Sequence, residues 1–256
     1  MNTRIIIPTR NEAGNIRKLV SEIGDLKDYG STVQIYFVDD SDTLETVEAI
    51  KAAQEEFPWL TIDFLYREGD QRVGRIVGAV KAGLQGAQRE GIESIVVMDG
   101  DGQHDPIYIP AMLEELRGGS NLVSGSRYIR GGSREGLDGT FRVFASRGAT
   151  FAAKSLFPGQ LQYSSDPMSG FFAVALSKIK VNAIEADGFK VLLEILLTNP
   201  GLTISEIPVV FRNRNSGESK VDPAVAAKYL SQLIRRRRQT PLGGFSKERK
   251  LQLENV

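Results

Sequence analysis

Val96-Val97-Met98-Asp99-Gly100-Asp101-Gly102-Gln103-His104-Asp105-Pro106 decides how this chain is read. The apolar start predicts a buried strand. Asp105-Pro106 predicts a helix start, with Asp105 as its cap. Carboxylates at the carboxyl end of a buried strand sit where α/β sheets bind ligands. Two of them, one residue apart, can share a hard divalent cation, which often keeps a diphosphate among its remaining ligands. An acidic turn that only caps the next helix has the same letters, so Asp99 and Asp101 take their meaning from the rest of the chain.

Strand and helix patterns alternate on both sides of that segment. Arg4 to Ile7 is an apolar strand ended by Pro8. Ile16, Leu19, Val20 and Ile23 follow at helical spacing, with Asn15 as the expected cap. Ile35 to Val38 runs into Asp39-Asp40, and a helix follows through Val47, Ile50 and Phe57. Ile62 to Tyr66 ends in Arg67, and Val73, Ile76, Val77, Val80 and Leu84 mark the next helix. Ile95 to Met98 is the fourth strand, Met112, Leu113 and Leu116 face a core, and Leu122 to Gly125 is the fifth strand. This order predicts a mostly parallel sheet with right-handed crossovers. Polar loops are ordinary, but acidic pairs at the ends of two strands point to a ligand edge.

The second half is less regular. Residues 126–140 read as a long loop. A helix spans Phe141 to Phe157, a strand Phe171 to Val174 and a helix Phe189 to Leu197. Ile204 to Phe211 is a strand broken at Pro208. Asp222-Pro223 opens a helix through Val225, Tyr229, Leu230, Leu233 and Ile234, and Arg235 to Arg238 follow it.

At 256 residues the chain can bury one sizeable core. Lys plus Arg and Asp plus Glu number 32 each, so no global field points to nucleic acid. The absence of cysteine excludes disulfides and thiolate chemistry. No segment has the apolar core of a signal peptide or the length of a membrane span. The expectation is a cytoplasmic protein, at most peripheral on the cytoplasmic face of a membrane.

Seven segments then fall into a familiar order: Pro8-Thr9-x-Asn11-Glu12, Val38-Asp39-Asp40-Ser41, Arg72-x-Gly74, Asp99-x-Asp101-x-Gln103-His104-x-Pro106, Gly125-Ser126-Arg127-Tyr128, Asp166-x-x-Ser169-Gly170-Phe171 and Arg214-x-x-Gly217-x-Ser219-Lys220. The chain resembles the family 2 inverting glycosyltransferases. Within them it is most similar to the dolichol/polyprenyl-phosphate mannosyltransferases. The resemblance implies an α/β, GT-A-type nucleotide-sugar-binding fold with helices flanking the sheet. It implies a domain over 1–222; beyond it the residues themselves read as a basic amphipathic helix over 223–240 and a flexible tail over 241–256.

It also implies roles. Pro8, Arg10, Glu12, Asp40, Arg72, Asp99 and Gly100 would bind the nucleotide-sugar, GDP-mannose being favoured. Asp99, Asp101 and Gln103 would hold Mg²⁺ or Mn²⁺, hard cations suited to oxygen ligands. Arg127, Arg142, Ser146, Arg214 and Lys220 would receive the acceptor's phosphate, with Lys190 a further candidate for the same anionic pocket. Asp101, Arg127 and Asp166 form the expected catalytic set. An acceptor phosphate is already anionic, so no general base is required. Asp166 would be one if the acceptor were a hydroxyl, and His104 reads as a structural neighbour of the metal motif.

Two departures stand out. Asp39-Asp40-Ser41-Asp42-Thr43-Leu44 replaces the family's common Asp-Asp-Gly-Ser-Pro-Asp, and Arg10 stands where tyrosine is common. Many relatives carry a transmembrane tail. Here the Val225–Ile234 face and Arg235 to Arg238 offer a membrane-surface helix, or an integral-membrane partner takes that part. The alternatives are another donor such as UDP-glucose, a non-lipid acceptor, or a silent nucleotide-sugar-binding protein.

Overall fold

A computed structural model describes residues 1–26, 32–133, 140–185, 190–212 and 223–239, with backbone alone for 140–147 and 223–228. In β1 (Asn2–Thr9) the side chains of Ile5, Ile6 and Ile7 are all buried. Successive residues of a strand face opposite sides. Ile6 joins one apolar core, and Ile5 and Ile7 join the other. β4 (Ser94–Val97) divides in the same way, Ile95 and Val97 against Val96. Strands covered on both faces need no polar alternation, so both read as unbroken apolar runs.

β1 pairs in parallel with β2 (Thr32–Asp39) and with β4, and β2 pairs in parallel with β3 (Thr61–Tyr66). The crossover helices cover both faces. α1 (Ala13–Asp25) and α2 (Glu45–Glu56) bury Ile16, Leu19, Val20, Ile23, Ile50 and Ala53 in one core. α3 (Arg75–Arg89) buries Val77, Val80, Leu84 and Ala87 in the other. A short 3₁₀ turn at Pro106–Tyr108, capped by the Asp105 carboxylate on the Ile107 amide at 3.0 Å, leads into α4 (Ile109–Arg117).

Beyond β4 the sheet reverses once. β5 (Leu122–Ser126) is not its neighbour. β6 (Phe172–Ala175) lies between them, antiparallel to both, and β7 (Ile204–Pro208) pairs in parallel with β5. The order is β3-β2-β1-β4-β6-β5-β7, so the sheet is mostly parallel, as the alternation predicts. The reversal leaves no trace in β6 itself, whose residues are apolar on both faces whichever way it runs. α5 (Thr140–Leu156), α6 (Pro158–Leu161), α7 (Val191–Thr198) and α8 (Pro223–Gln239) complete the α3 side, where Ala153, Phe157, Leu161, Leu192, Tyr229 and Leu233 share its core.

Four local expectations change. α1 begins at Ala13, so Asn15 is not its cap but lies inside the first turn and donates to the Glu12 carboxylate at 2.5 Å. Val73 and Ile76 are 64% and 43% exposed and do not face the core. β7 ends at Pro208, and beyond it Ser133 and Val210 form an isolated bridge. The α8 stripe is split. Tyr229, Leu233 and Arg236, at i, i+4 and i+7, face inward, while Leu230 and Ile234 are 46% and 49% exposed. Arg236 is buried against Glu194 at 2.5 Å and Glu185 at 2.6 Å, and Arg235 reaches Glu185 at 3.4 Å. Arg235 and Arg236 are therefore engaged in intramolecular ion pairs. Among the described residues no helix is long and apolar enough to cross a membrane.

Gly78, inside α3, has no room for a side chain. A Cβ there would lie 2.0 Å from the Val73 carbonyl oxygen, which is backbone and cannot rotate away. Gly78→Ala is expected to destabilise the protein by about 1–3 kcal/mol, as overpacking does. Gly148→Ala, in α5 with open space around the new Cβ, is expected to stabilise by about 0.5–1 kcal/mol. Urea denaturation of both variants checks the contrast, and equal midpoints would refute it.

Candidate active site

The carboxyl ends of β1, β2, β3 and β4 lie along one edge, because these strands are parallel. A cleft of about 610 Å³ opens there. Pro8, Thr9, Arg10, Glu12, Asp40, Arg72, Arg75, Ile76, Ala79, Asp99, Gly100, Asp101 and Lys190 line it. All seven sequence candidates for nucleotide-sugar binding are in that lining.

The β2 end is fixed from below and from the side. The Asp40 amide donates to the Thr9 carbonyl at 2.9 Å. Asp39 is fully buried and accepts from the Thr9 and Ser41 hydroxyls at 2.9 and 2.6 Å through one oxygen. Its other oxygen has no hydrogen bond among the described residues, and burial pushes the carboxyl's pKa up. Asp40 pairs with Arg67, the residue after β3, through two bonds of 2.7 and 2.5 Å, both side chains being buried. The same guanidinium donates to the carbonyls of Gln71 at 2.9 Å and Arg75 at 3.1 Å. Arg67 therefore joins the cleft floor to the loop that opens α3.

Arg72 and Arg10 are linked through one carboxylate. Asp42 accepts from Arg72 at 2.9 Å and from Arg10 at 3.2 Å. Arg10 and then Arg72 hold the Asp42 carboxyl below its ordinary range. Arg72 also donates to the carbonyls of Arg67 and Ser41. Arg10 and Asp42, one residue from each departure from the family pattern, are thus ion-pair partners.

Asp99 is oriented by His104. The Asp99 amide donates to His104 Nδ1 at 2.8 Å, which leaves the proton on Nε2, 3.7 Å from the Asp99 carboxylate. The ring is buried, stacked on Phe171 at 5.1 Å and edge-on to Phe211 at 4.8 Å. Burial pushes its pKa down, so it stays neutral. Gly170 makes the space: a Cβ there would sit 3.1 Å from Asp99 Oδ2 and 3.2 Å from His104 Cε1. Asp101 is buried and accepts from the Gln103 amide at 3.0 Å. Gln103 is not in the cleft lining, and its carbonyl is taken by the Arg212 amide at 3.0 Å.

Past β5, Arg127 and Asp166 form a buried bidentate pair of 2.7 and 2.9 Å, with the guanidinium 4.9 Å above the Phe211 ring. Both Asp166 oxygens accept from Arg127, and the carboxylate is fully buried. Arg127 Nη1 keeps no partner among the described residues.

Residues 4–180, which carry all of the described cleft lining except Lys190, match the family described as Glycosyl transferase family 2. The chain belongs to that family. A dolichol-phosphate mannosyltransferase of Pyrococcus furiosus is 32% identical over 235 residues, 92% of this chain and 63% of that protein. The chain thus spans less than two thirds of that relative. A second dolichol-phosphate mannosyltransferase, from Mycosarcoma maydis, is 31% identical over 90% of this chain and 77% of its own length. Among solved structures, glucosyl-3-phosphoglycerate synthase of Mycobacterium tuberculosis with Mn²⁺, UDP and glucosyl-3-phosphoglycerate superposes with a TM-score of 0.64 at 18% identity, covering 95% of this chain and 82% of that one. The fold is accordingly of the GT-A glycosyltransferase type.

The acceptor candidates are less completely described. Arg127 is placed, but the side chains of Arg142 and Ser146, and all of Arg214 and Lys220, lie outside the described residues. Among the described residues no three His, Cys, Asp or Glu side chains form a ready metal cluster. Asp99 and Asp101 still supply two carboxylates to one cleft, a donor set that fits a hard cation with its remaining ligands from substrate. Sequence reasoning missed Arg67, Asp42 and Arg75. The signal for Arg67 was present: it closes a strand at the same edge as Asp40 and Asp99.

Arg67→Met strands the Asp40 carboxylate and is expected to cost about 3–5 kcal/mol, the range for breaking a buried pair. The double variant Asp40→Asn/Arg67→Met is expected to recover part of that loss in urea denaturation. Additive losses would show that the pair is not coupled.

Proposed function

We propose that this glycosyltransferase transfers a hexose from a nucleotide-sugar to a polyprenyl phosphate, with inversion at the anomeric carbon. Mannose from GDP-mannose is the favoured donor. The gathering of every donor candidate with Asp99 and Asp101 in one cleft is the observation that carries the donor half. The names of the two mannosyltransferase relatives support the sugar and the lipid acceptor.

The site's acid–base state supports a phosphate acceptor. A hydroxyl acceptor would need a base. Asp166 is locked by Arg127, and His104 is neutral, buried, and already accepting at Nδ1. Neither is free to take a proton, and a phosphate oxygen needs neither. Arg127 would hold that phosphate through Nη1, with Asp166 fixing the guanidinium's orientation, and Lys190 adds a point charge at the cleft. Asp99 and Asp101 would hold Mg²⁺ or Mn²⁺, which when bound neutralises charge on the departing nucleoside diphosphate. His104 holds Asp99 toward that position.

A membrane-surface contact fits the exposed part of α8. Leu230 and Ile234 face outward with Arg237 and Arg238 one turn on, and Phe151 of the neighbouring α5 is 75% exposed. Apolar side chains with flanking cations suit an anionic lipid surface.

The deciding experiment offers the purified chain a short polyprenyl phosphate, Mg²⁺ or Mn²⁺, and a panel of nucleotide-sugars. Turnover of GDP-mannose is expected; turnover of UDP-glucose alone would select the alternative donor. Asp101→Ala is expected to abolish transfer while keeping its melting temperature, and full activity under excess chelator would overturn the metal assignment. Leu230→Ser/Ile234→Ser is expected to reduce flotation with anionic vesicles and spare activity on a detergent-solubilised acceptor. Unchanged flotation would remove α8 from the contact.

A further inference from the structure

The four cations of the donor cleft are not equivalent. Arg10 and Arg72 share the Asp42 carboxylate. Arg75 is exposed to the cleft, and among the described residues its guanidinium makes no hydrogen bond or ion pair. Its backbone is unusual as well. Arg75 has φ 48°, in the left-handed region. The other non-glycine residue described there, Asn11, is of a type that tolerates it, whereas an arginine is strained. Gly74, just before it, is also left-handed, at φ 86°.

The surroundings impose this conformation. Arg67 donates to the Arg75 carbonyl at 3.1 Å while gripping Asp40 with two bonds. The Gly78 amide donates to the Gly74 carbonyl at 3.0 Å, and Gly78 itself leaves space for the Val73 carbonyl. A position of purely structural value with this backbone would favour glycine. The chain carries instead a long cation, held against its own preference and aimed by a fixed backbone.

The charges of the lining indicate what it is held for. Asp40 is paired with Arg67, and Arg10 and Arg72 share the single charge of Asp42. An incoming diphosphate therefore meets two uncommitted cations, Arg75 and Lys190. A guanidinium is charged at every physiological pH, and its planar fork matches phosphate oxygens. We infer that Arg75 is a further donor-binding residue, whose guanidinium takes the phosphate oxygens of the nucleoside diphosphate. This rests on the donor-cleft reading above.

The test uses the full chain with Mg²⁺, titrated calorimetrically with GDP and UDP and, by competition, with guanosine and uridine. Arg75→Gly and Arg75→Asn both tolerate the left-handed backbone and are expected to melt at or above the wild-type temperature. Their affinity for the diphosphate that wild type binds is expected to fall about tenfold or more, the scale of a lost charge-assisted bond. Nucleoside affinity is expected to stay the same, and Arg75→Lys to regain part of the diphosphate affinity. Unchanged diphosphate affinity in Arg75→Gly, or an equal loss for the nucleoside, overturns the inference alone. Wild type that binds neither GDP nor UDP overturns the donor-cleft reading, and the role of Arg75 with it.

Discussion

Parallel pairing of β1 with both β2 and β4 is the constraint on which the site depends. Parallel neighbours must be joined by crossovers, so their carboxyl ends share an edge and their loops meet there. Pro8 near the end of β1 and Glu12 after it, Asp40 after β2, Arg67 after β3 and Asp99 after β4 come from separate parts of the sequence. The sheet places them together without further cost. α1, α2 and α3 pack on the faces, and the cleft opens at this edge, with the start of α3 in its lining.

Charge inside that edge is handled in small matched sets. Arg67 with Asp40 and Arg127 with Asp166 are buried bidentate pairs. Arg10, Asp42 and Arg72 form a more exposed triad. Buried pairs contribute little net stability against apolar replacements, because desolvation offsets attraction. Their value here is orientation. Each holds a side chain or a loop at a fixed place beside the cleft, as neutral His104 does for Asp99. Arg75 and Lys190 then stand apart, as lining cations with no side-chain ion pair among the described residues.

Much of this was legible in the sequence, and the illegible parts share a cause. Buried strands declare themselves as apolar runs, and their ends as the polar residues that stop them, so Asp40, Asp99 and Asp101 could be placed at a ligand edge. The family pattern then added Pro8, Glu12 and Arg72. Arg67 stayed hidden because its partner is 27 residues away and one arginine after a strand resembles any surface cation. Arg10 and Asp42 read as two separate losses; only in three dimensions are they one exchange. The split of the α8 stripe was hidden by the same distance effect, since Glu194 and Glu185 are what draw Arg236 inward. The direction of β6 depends on what its neighbours leave free, which no local pattern records.

The Arg127–Asp166 clasp has a bearing on how such a chain can diversify. Its partners stand 39 residues apart, one just past β5 and the other shortly before β6. They close the base of the excursion that the chain makes between these two strands. Once a loop's ends are tied, lengthening it costs only a slowly growing entropy, about 0.6 kcal/mol per doubling. Insertions, deletions and new side chains in that excursion therefore need not disturb the register of the sheet. The half of the molecule that would meet the acceptor is free to vary, while the half that would hold the nucleotide stays fixed by paired strands.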